Sequence, residues 1–306
     1  MRLPATASVL LSAALATLSL SAVPVAAGPA GEHNRTASVT TPAPTGPGAA
    51  KPGVDDLAGI IAMSECSAAL VKFRNAPMTN AALMLTNGHC TGADIGQRFP
   101  NAGQVIVDRS ANRSVKLLKA DGSTAATLRA NRIVYDTMTD TDAAIFRLAT
   151  TYQDIKARYG IDAFIIAEQG PKPQDRITVS SGYWKKRYKC SMDKQVYRIR
   201  EDQWTWKESV RYTAECDTPH GSSGSPVFGD ASGEVVAVNN TGNDGDARAC
   251  AMNNPCEVDE QGKVTSAPKG ISYAQQTWWF TTCVNSAFEL DLSVAGCQLP
   301  KPKRRP

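Results

Sequence analysis

Three short stretches carry residues whose types and setting could do covalent chemistry. In residues 218–228, TPHGSSGSPVF, Ser223 stands in a glycine-flanked turn that runs straight into an apolar, strand-like segment. A serine hydroxyl attacks a carbonyl effectively only where the backbone turns sharply and free N–H groups can hold the oxyanion that forms. Gly221 and Gly224 permit such a turn. In residues 85–90, LTNGHC, His89 ends an apolar run beside a cysteine, and in residues 141–148, TDAAIFRL, Asp142 opens a strand-like segment. Of the three histidines, His33 falls in a proline- and alanine-rich N-terminal stretch and His220 borders the serine turn, which leaves His89 as the natural base. Asp136 and Asp140 are rival acids near Asp142. A Ser/Gly cluster by itself is an ordinary turn; it is the concurrence of the three stretches that points to chemistry.

Such residues must be held by a framework. Short β-branched and aliphatic runs at 68–73, 81–86, 104–107, 132–135, 143–148 and 177–180 are separated by turn residues, and more follow at 196–200, 209–213, 226–228, 234–238 and 270–273. Their spacing predicts an all-β barrel or sandwich. Residues 151–159 are the one central stretch with helical character.

In chain order and local pattern the three stretches resemble the chymotrypsin clan of serine peptidases, whose order is His, Asp, Ser and whose motifs run close to T-x-x-H-C, D-x-A-x-x-x-L and G-x-S-G-x-P. The middle motif matches approximately, as Asp142-Ala143-Ala144 leading to Leu148, and the resemblance covers roughly residues 64–287. It implies two six-stranded antiparallel β-barrels, about 59–150 and 172–275, with a short C-terminal helical segment. The QGPKP sequence at 169–173 would cross between them. It also implies a serine endopeptidase: Ser223 attacks the peptide carbonyl, His89 carries the proton, Asp142 orients the imidazole, and the N–H groups of Gly221 and Ser223 form the oxyanion hole. Proteins or peptides would be the substrates, with no metal or organic cofactor. The non-enzymatic alternative is a protease-fold binding protein, which usually replaces a triad member; none is replaced here.

For substrate preference the resemblance divides. Trypsin-like members place an aspartate six positions before the nucleophile to receive Arg or Lys, and Asp217 stands at that spacing. TNGH and GSSGSPVF instead look like the glutamyl endopeptidase branch, in which a threonine and a histidine hold the substrate carboxylate; Thr218 matches the first, and Asn239 stands where the histidine is expected. Cleavage after Arg or Lys is the expectation, and cleavage after Glu the alternative. Ser222 occupies the position where trypsin-type zymogens carry an aspartate, so activation through a buried N-terminal ammonium group is not expected.

The N-terminus, with Arg2, an Ala/Leu/Ser/Val run and Val25-Ala26-Ala27, reads as a secretory signal peptide over 1–27. A Pro/Ala/Thr-rich leader or propeptide follows over 28–58, then the peptidase domain over 59–298 and a basic tail over 299–306. No later stretch approaches the ~18 apolar residues of a spanning helix, so a secreted monomer that does not bind membranes is expected. Eight cysteines in an exported chain imply disulfides. The clan resemblance implies Cys66 with Cys90; Cys250 with Cys256 would close a short loop, and Cys190 with Cys216 and Cys283 with Cys297 remain by proximity. The absence of a CxxC and the scarcity of histidine argue against zinc. Net charge is a mild +4. The WKKRYK run at 184–189 could bind a polyanion but reads more simply as a solvated hairpin, and nucleic acid is not an expected partner.

Overall fold

The computed structural model describes residues 51–245 and 248–303. The expected signal peptide, residues 28–50 of the expected leader and the last three residues of the basic tail lie outside the described residues. Six strands form the first sheet: β1 (Ile60–Ala62), β2 (Ser67–Lys72), β3 (Ala81–Thr86), β4 (Val105–Leu118), β5 (Thr124–Thr137) and β6 (Ala143–Thr151). They pair in the order β1-β4-β5-β6-β3-β2, and β1 pairs β2, so the ring closes on itself. A two-residue strand, β7 (Phe164–Ile165), adds in parallel to β2.

The second sheet repeats the device with β8 (Arg176–Ser181), β9 (Lys186–Glu201), β10 (Trp204–Tyr212), β11 (Pro226–Gly229) and β12 (Val235–Gly242). After β13 (Cys256–Val258) and β14 (Val264–Ser266), which extend the sheet beyond β9, comes β15 (Ser272–Gln276). The order β10-β15-β12-β11-β8-β9 closes through β9 and β10. Both rings are antiparallel and six-stranded, the arrangement expected. Closure leaves a strand few unpaired N–H and C=O groups at an edge.

The period of two along each strand builds the cores. In β6, Ala144, Phe146 and Leu148 enter a cluster with Leu70 and Met84 of the same barrel. Ala143 and Ile145, on the opposite face, join a cluster that includes Phe228 and Val238 of the second barrel. Fully burying a side chain such as Ile145 or Phe146 contributes about 1.5–3 kcal/mol. The second barrel has its own core around Ile177, Val179, Val210 and Val227.

Among the described residues the α-helices are short: α1 (Gly92–Ile95), α2 (Tyr152–Tyr159) and α3 (Trp278–Thr281). Thr151 caps α2 by accepting from Asp154 N at 3.1 Å, and Gly160 in the left-handed region ends it. Helix α3 is the C-terminal helical segment expected.

The packed region is wider than the sequence boundaries. Val54 and Leu57, inside the expected leader, are buried in the core shared with Phe228, and Leu299, inside the expected tail, joins the same cluster. The Pro/Gly-rich composition around the two apolar leader residues conceals them. Four disulfides join Cys66–Cys90, Cys190–Cys216, Cys250–Cys256 and Cys283–Cys297, the pairs expected. The WKKRYK run forms the turn between β8 and β9 and the start of β9. Among the described residues no helix is long and apolar enough to cross a membrane.

Candidate active site

Strand register explains why residues far apart in sequence meet. Strands β3 and β6 pair Thr86 with Ala144, so the chain leaving β3 and the chain entering β6 lie at the same end of the first barrel. His89 follows the one and Asp142 precedes the other. The result is a His89 Nδ1 to Asp142 Oδ2 separation of 2.7 Å, while His89 N donates to Asp142 Oδ1 at 3.0 Å. Gly88 is required just before His89, because a Cβ there would lie 2.2 Å from Thr137 O of β5.

The rival acids are committed elsewhere. Asp140 pairs with Lys207 at 2.7 Å, and Asp136, wholly buried in β5, lies 2.7 Å from the Thr91 hydroxyl. Burial pushes the Asp136 carboxyl up to about 8, with the charges of Asp142 and Asp94 adding to it against the Thr91 hydrogen bond. For His89, burial pulls the pKa down, and the Asp142 charge and hydrogen bond, followed by the Glu201 charge, together more than offset it, so the net shift is upward.

Strands β11 and β12 pair Pro226 with Val238, which sets the serine turn against the continuing end of β12. Gly224 N donates to Asn239 O at 2.9 Å, and Ser223 Oγ donates to Asn240 O at 3.3 Å. Gly224 sits at φ 78°, and an added Cβ would approach Ser67 O to 2.1 Å, so this position excludes any side chain. Among the described residues neither Gly221 N nor Ser223 N has a hydrogen-bond acceptor. Ser222 donates its hydroxyl to Pro219 O and accepts from the Asn239 amide at 3.2 Å.

His89, Asp142 and Ser223 line one cavity of about 780 Å³, together with Gly221, Thr218 and Asn239. Thr218 Oγ1 donates to Asn239 Oδ1 at 3.2 Å, and the Asn239 amide nitrogen is spent on Ser222 O at 3.1 Å and Ser222 Oγ at 3.2 Å. That nitrogen has no hydrogen left over for a substrate carboxylate. Asp217 is exposed beside Cys216 and does not line the cavity.

Sequence reasoning passed over two further residues. Asn87 is wholly buried, donates to Asp142 O at 2.8 Å and accepts from Gly224 N at 2.6 Å, so one amide joins the acid's strand to the serine turn. Its place two residues before His89 was the available signal. Glu201, at the end of β9, is buried yet lines the cavity; no local pattern marks it. Among the described residues one trio of metal-type ligand atoms gathers, on Cys66, His89 and Cys90, and both sulfurs are spent in a disulfide.

The family model for the trypsin-like peptidase domain matches residues 66–238. No curated protein matches the sequence. Solved structures with similarity include a Glu endopeptidase in complex with MPD, 16% identical over 74% of this chain and 87% of that one, with a TM-score of 0.42. The MamO protease domain from Magnetospirillum magneticum is 12% identical over 76% and 98% of the two chains, with a TM-score of 0.46. A glutamic acid-specific serine protease that uses a histidine triad in substrate binding is 17% identical over 71% and 91%, with a TM-score of 0.36.

Proposed function

Because the chain belongs to the trypsin-like peptidase domain family, we propose that it is a secreted serine endopeptidase that cleaves through an acyl-enzyme on Ser223. The observation that carries this reading is the His89–Asp142 pair at 2.7 Å in the same cavity as Ser223. With Asp142 accepting from Nδ1–H, the free Nε2 of His89 is the acceptor for the serine proton. For the reaction the Ser223 hydroxyl leaves Asn240 O, to which it donates at 3.3 Å, and donates to that nitrogen instead. Ser223 Oγ then adds to the peptide carbonyl as its proton passes to His89; the tetrahedral oxyanion is received by the N–H groups of Gly221 and Ser223. Collapse expels the amine, which takes the proton from His89, and water repeats the sequence on the ester. Four disulfides and the expected signal peptide support export.

The preference for Arg or Lys needs a carboxylate in the cavity, and Asp217 does not line it. Acceptance of Glu would need donors, and the Thr218–Asn239 pair has its amide nitrogen engaged.

The test is covalent labelling of the purified secreted protein with a fluorophosphonate, alongside peptide hydrolysis. Label on Ser223 and loss of both label and hydrolysis in Ser223→Ala are expected. Undiminished hydrolysis by Ser223→Ala, free of contaminating protease, would overturn the mechanism.

A further inference from the structure

The cavity holds a second buried carboxylate that the hydrolytic steps leave unused. Glu201 is 2% exposed, its Oε1 accepts from Asn253 N at 2.8 Å, and the Thr241 hydroxyl donates to the carboxylate. Its Oε2 is buried without a partner. Burial pushes the carboxyl up to about 6 against those hydrogen bonds, so it is mainly ionised at neutral pH.

Among the described residues no cation forms an ion pair with Glu201, although the His89 charge, when present, lowers its pKa. Arg113, which also lines the cavity, is held by Asp94 at 2.6 Å and donates to Cys90 O at 2.8 Å. Arg98 lies over the Phe99 ring, 4.9 Å from its centroid. The cavity's other buried carboxylate, Asp142, is engaged by His89, and Asp244 at the rim is paired with His220 at 2.6 Å. A desolvated anion with a free oxygen is unfavourable until a donor reaches it. Met138, Trp206 and Met252 line the same cavity and give it apolar walls. Such walls suit the alkyl stem of a long side chain whose charged end reaches the carboxylate.

We propose that Glu201 is a specificity-determining residue that receives an arginine or lysine side chain of the peptide substrate, the part expected of Asp217 from sequence. The inference rests on the hydrolytic reading of this site and adds a substrate class to it. A guanidinium or ammonium on Oε2 forms a charge-assisted hydrogen bond that an uncharged isostere cannot match.

The experiment compares peptides that differ only in carrying Arg or its neutral isostere citrulline at each of the four positions before the cut. At one position the kcat/KM for Arg should exceed that for citrulline by about 10- to 100-fold. Glu201→Gln, which keeps an acceptor for Asn253 N, should bring that ratio to near one, and Asp217→Asn should leave it intact. A ratio near one in the wild type, an unchanged ratio in Glu201→Gln, or a ratio abolished by Asp217→Asn would overturn the proposal. If Glu201→Gln fails to fold, Glu201→Asp shortens the reach and should lower the ratio; an unchanged ratio overturns it. Binding of the same peptides to Ser223→Ala protein separates the two readings. Lost discrimination there tells against Glu201, and tight, discriminating binding with no wild-type hydrolysis tells against the peptidase alone.

Discussion

The Thr91 hydroxyl and the Asp136 carboxyl share one proton path: Thr91 Oγ1 lies 2.7 Å from Asp136 Oδ2 and 2.9 Å from Gly88 O, and it has a single hydrogen for two acceptors. A protonated Asp136 resolves this by donating to Thr91, whose own hydrogen goes to Gly88 O. The buried carboxyl, held at about 8, is therefore mainly neutral below that pH. Its folded pKa is raised above the unfolded value, so the folded state binds more protons between about pH 4 and 8. The stability it contributes is complete below the unfolded pKa and lost as pH rises through 8. Asp136→Asn keeps a donor toward Thr91 and has no charge to form. It should gain stability relative to wild type at pH 8.5 compared with pH 5, on the order of a few kcal/mol. Urea denaturation midpoints of both proteins at the two pH values provide the check; an equal difference at both would exclude a buried neutral Asp136.

Asn87 connects two parts of the site, so its loss should be felt in both stability and turnover. In Asn87→Ala, Asp142 O loses its amide donor and Gly224 N keeps only Asn239 O. A buried group left unsatisfied costs about 1–3 kcal/mol, and a fall of that size in unfolding free energy is expected. Turnover should fall more than KM rises, since Asn87 does not line the cavity. An effect confined to KM would show that Asn87 does not position the reacting groups.

Asp142 is the largest of the influences, the Glu201 charge among them, that hold the His89 pKa above its ordinary value against the effect of burial. Neutral His89, the form that accepts a proton, accumulates only above that raised pKa, so the rising limb of kcat/KM with pH should lie above 6.5. Asp142→Asn should lower kcat by ~10⁴-fold and move the limb to lower pH. An unmoved limb would assign the titration to another group.

Cys66 and Cys90 close a loop of sequence separation 24 whose end lies directly after His89. Replacing both with alanine should cost about 3 kcal/mol and lower activity by loosening the histidine's segment. Thermal unfolding and kcat measured together test this. Unchanged stability would mean that β2 and β3 alone hold the segment.

What the sequence determined is the all-β class, the order of the barrels and a candidate site. His89, Asp142 and Ser223 were legible because each sits in a short local pattern, and β3 and β6 were legible because a strand facing two cores reads as a nearly continuous apolar run. The long strands β4, β5 and β9 were seen only in part: much of their length faces solvent with Arg, Lys and Ser, and nothing apolar marks it. Val54, Leu57 and Leu299 show the same limit at the boundaries, where one or two buried side chains do not change the composition of a segment. The tertiary structure alone decided which charges are buried together. Asp217 has the expected spacing from Ser223 yet is exposed and does not line the cavity, whereas Glu201 is 22 positions away and does. Spacing within one turn fixes distance along the chain, but a pocket wall is assembled from the ends of strands whose closeness depends on how a closed sheet brings its register around.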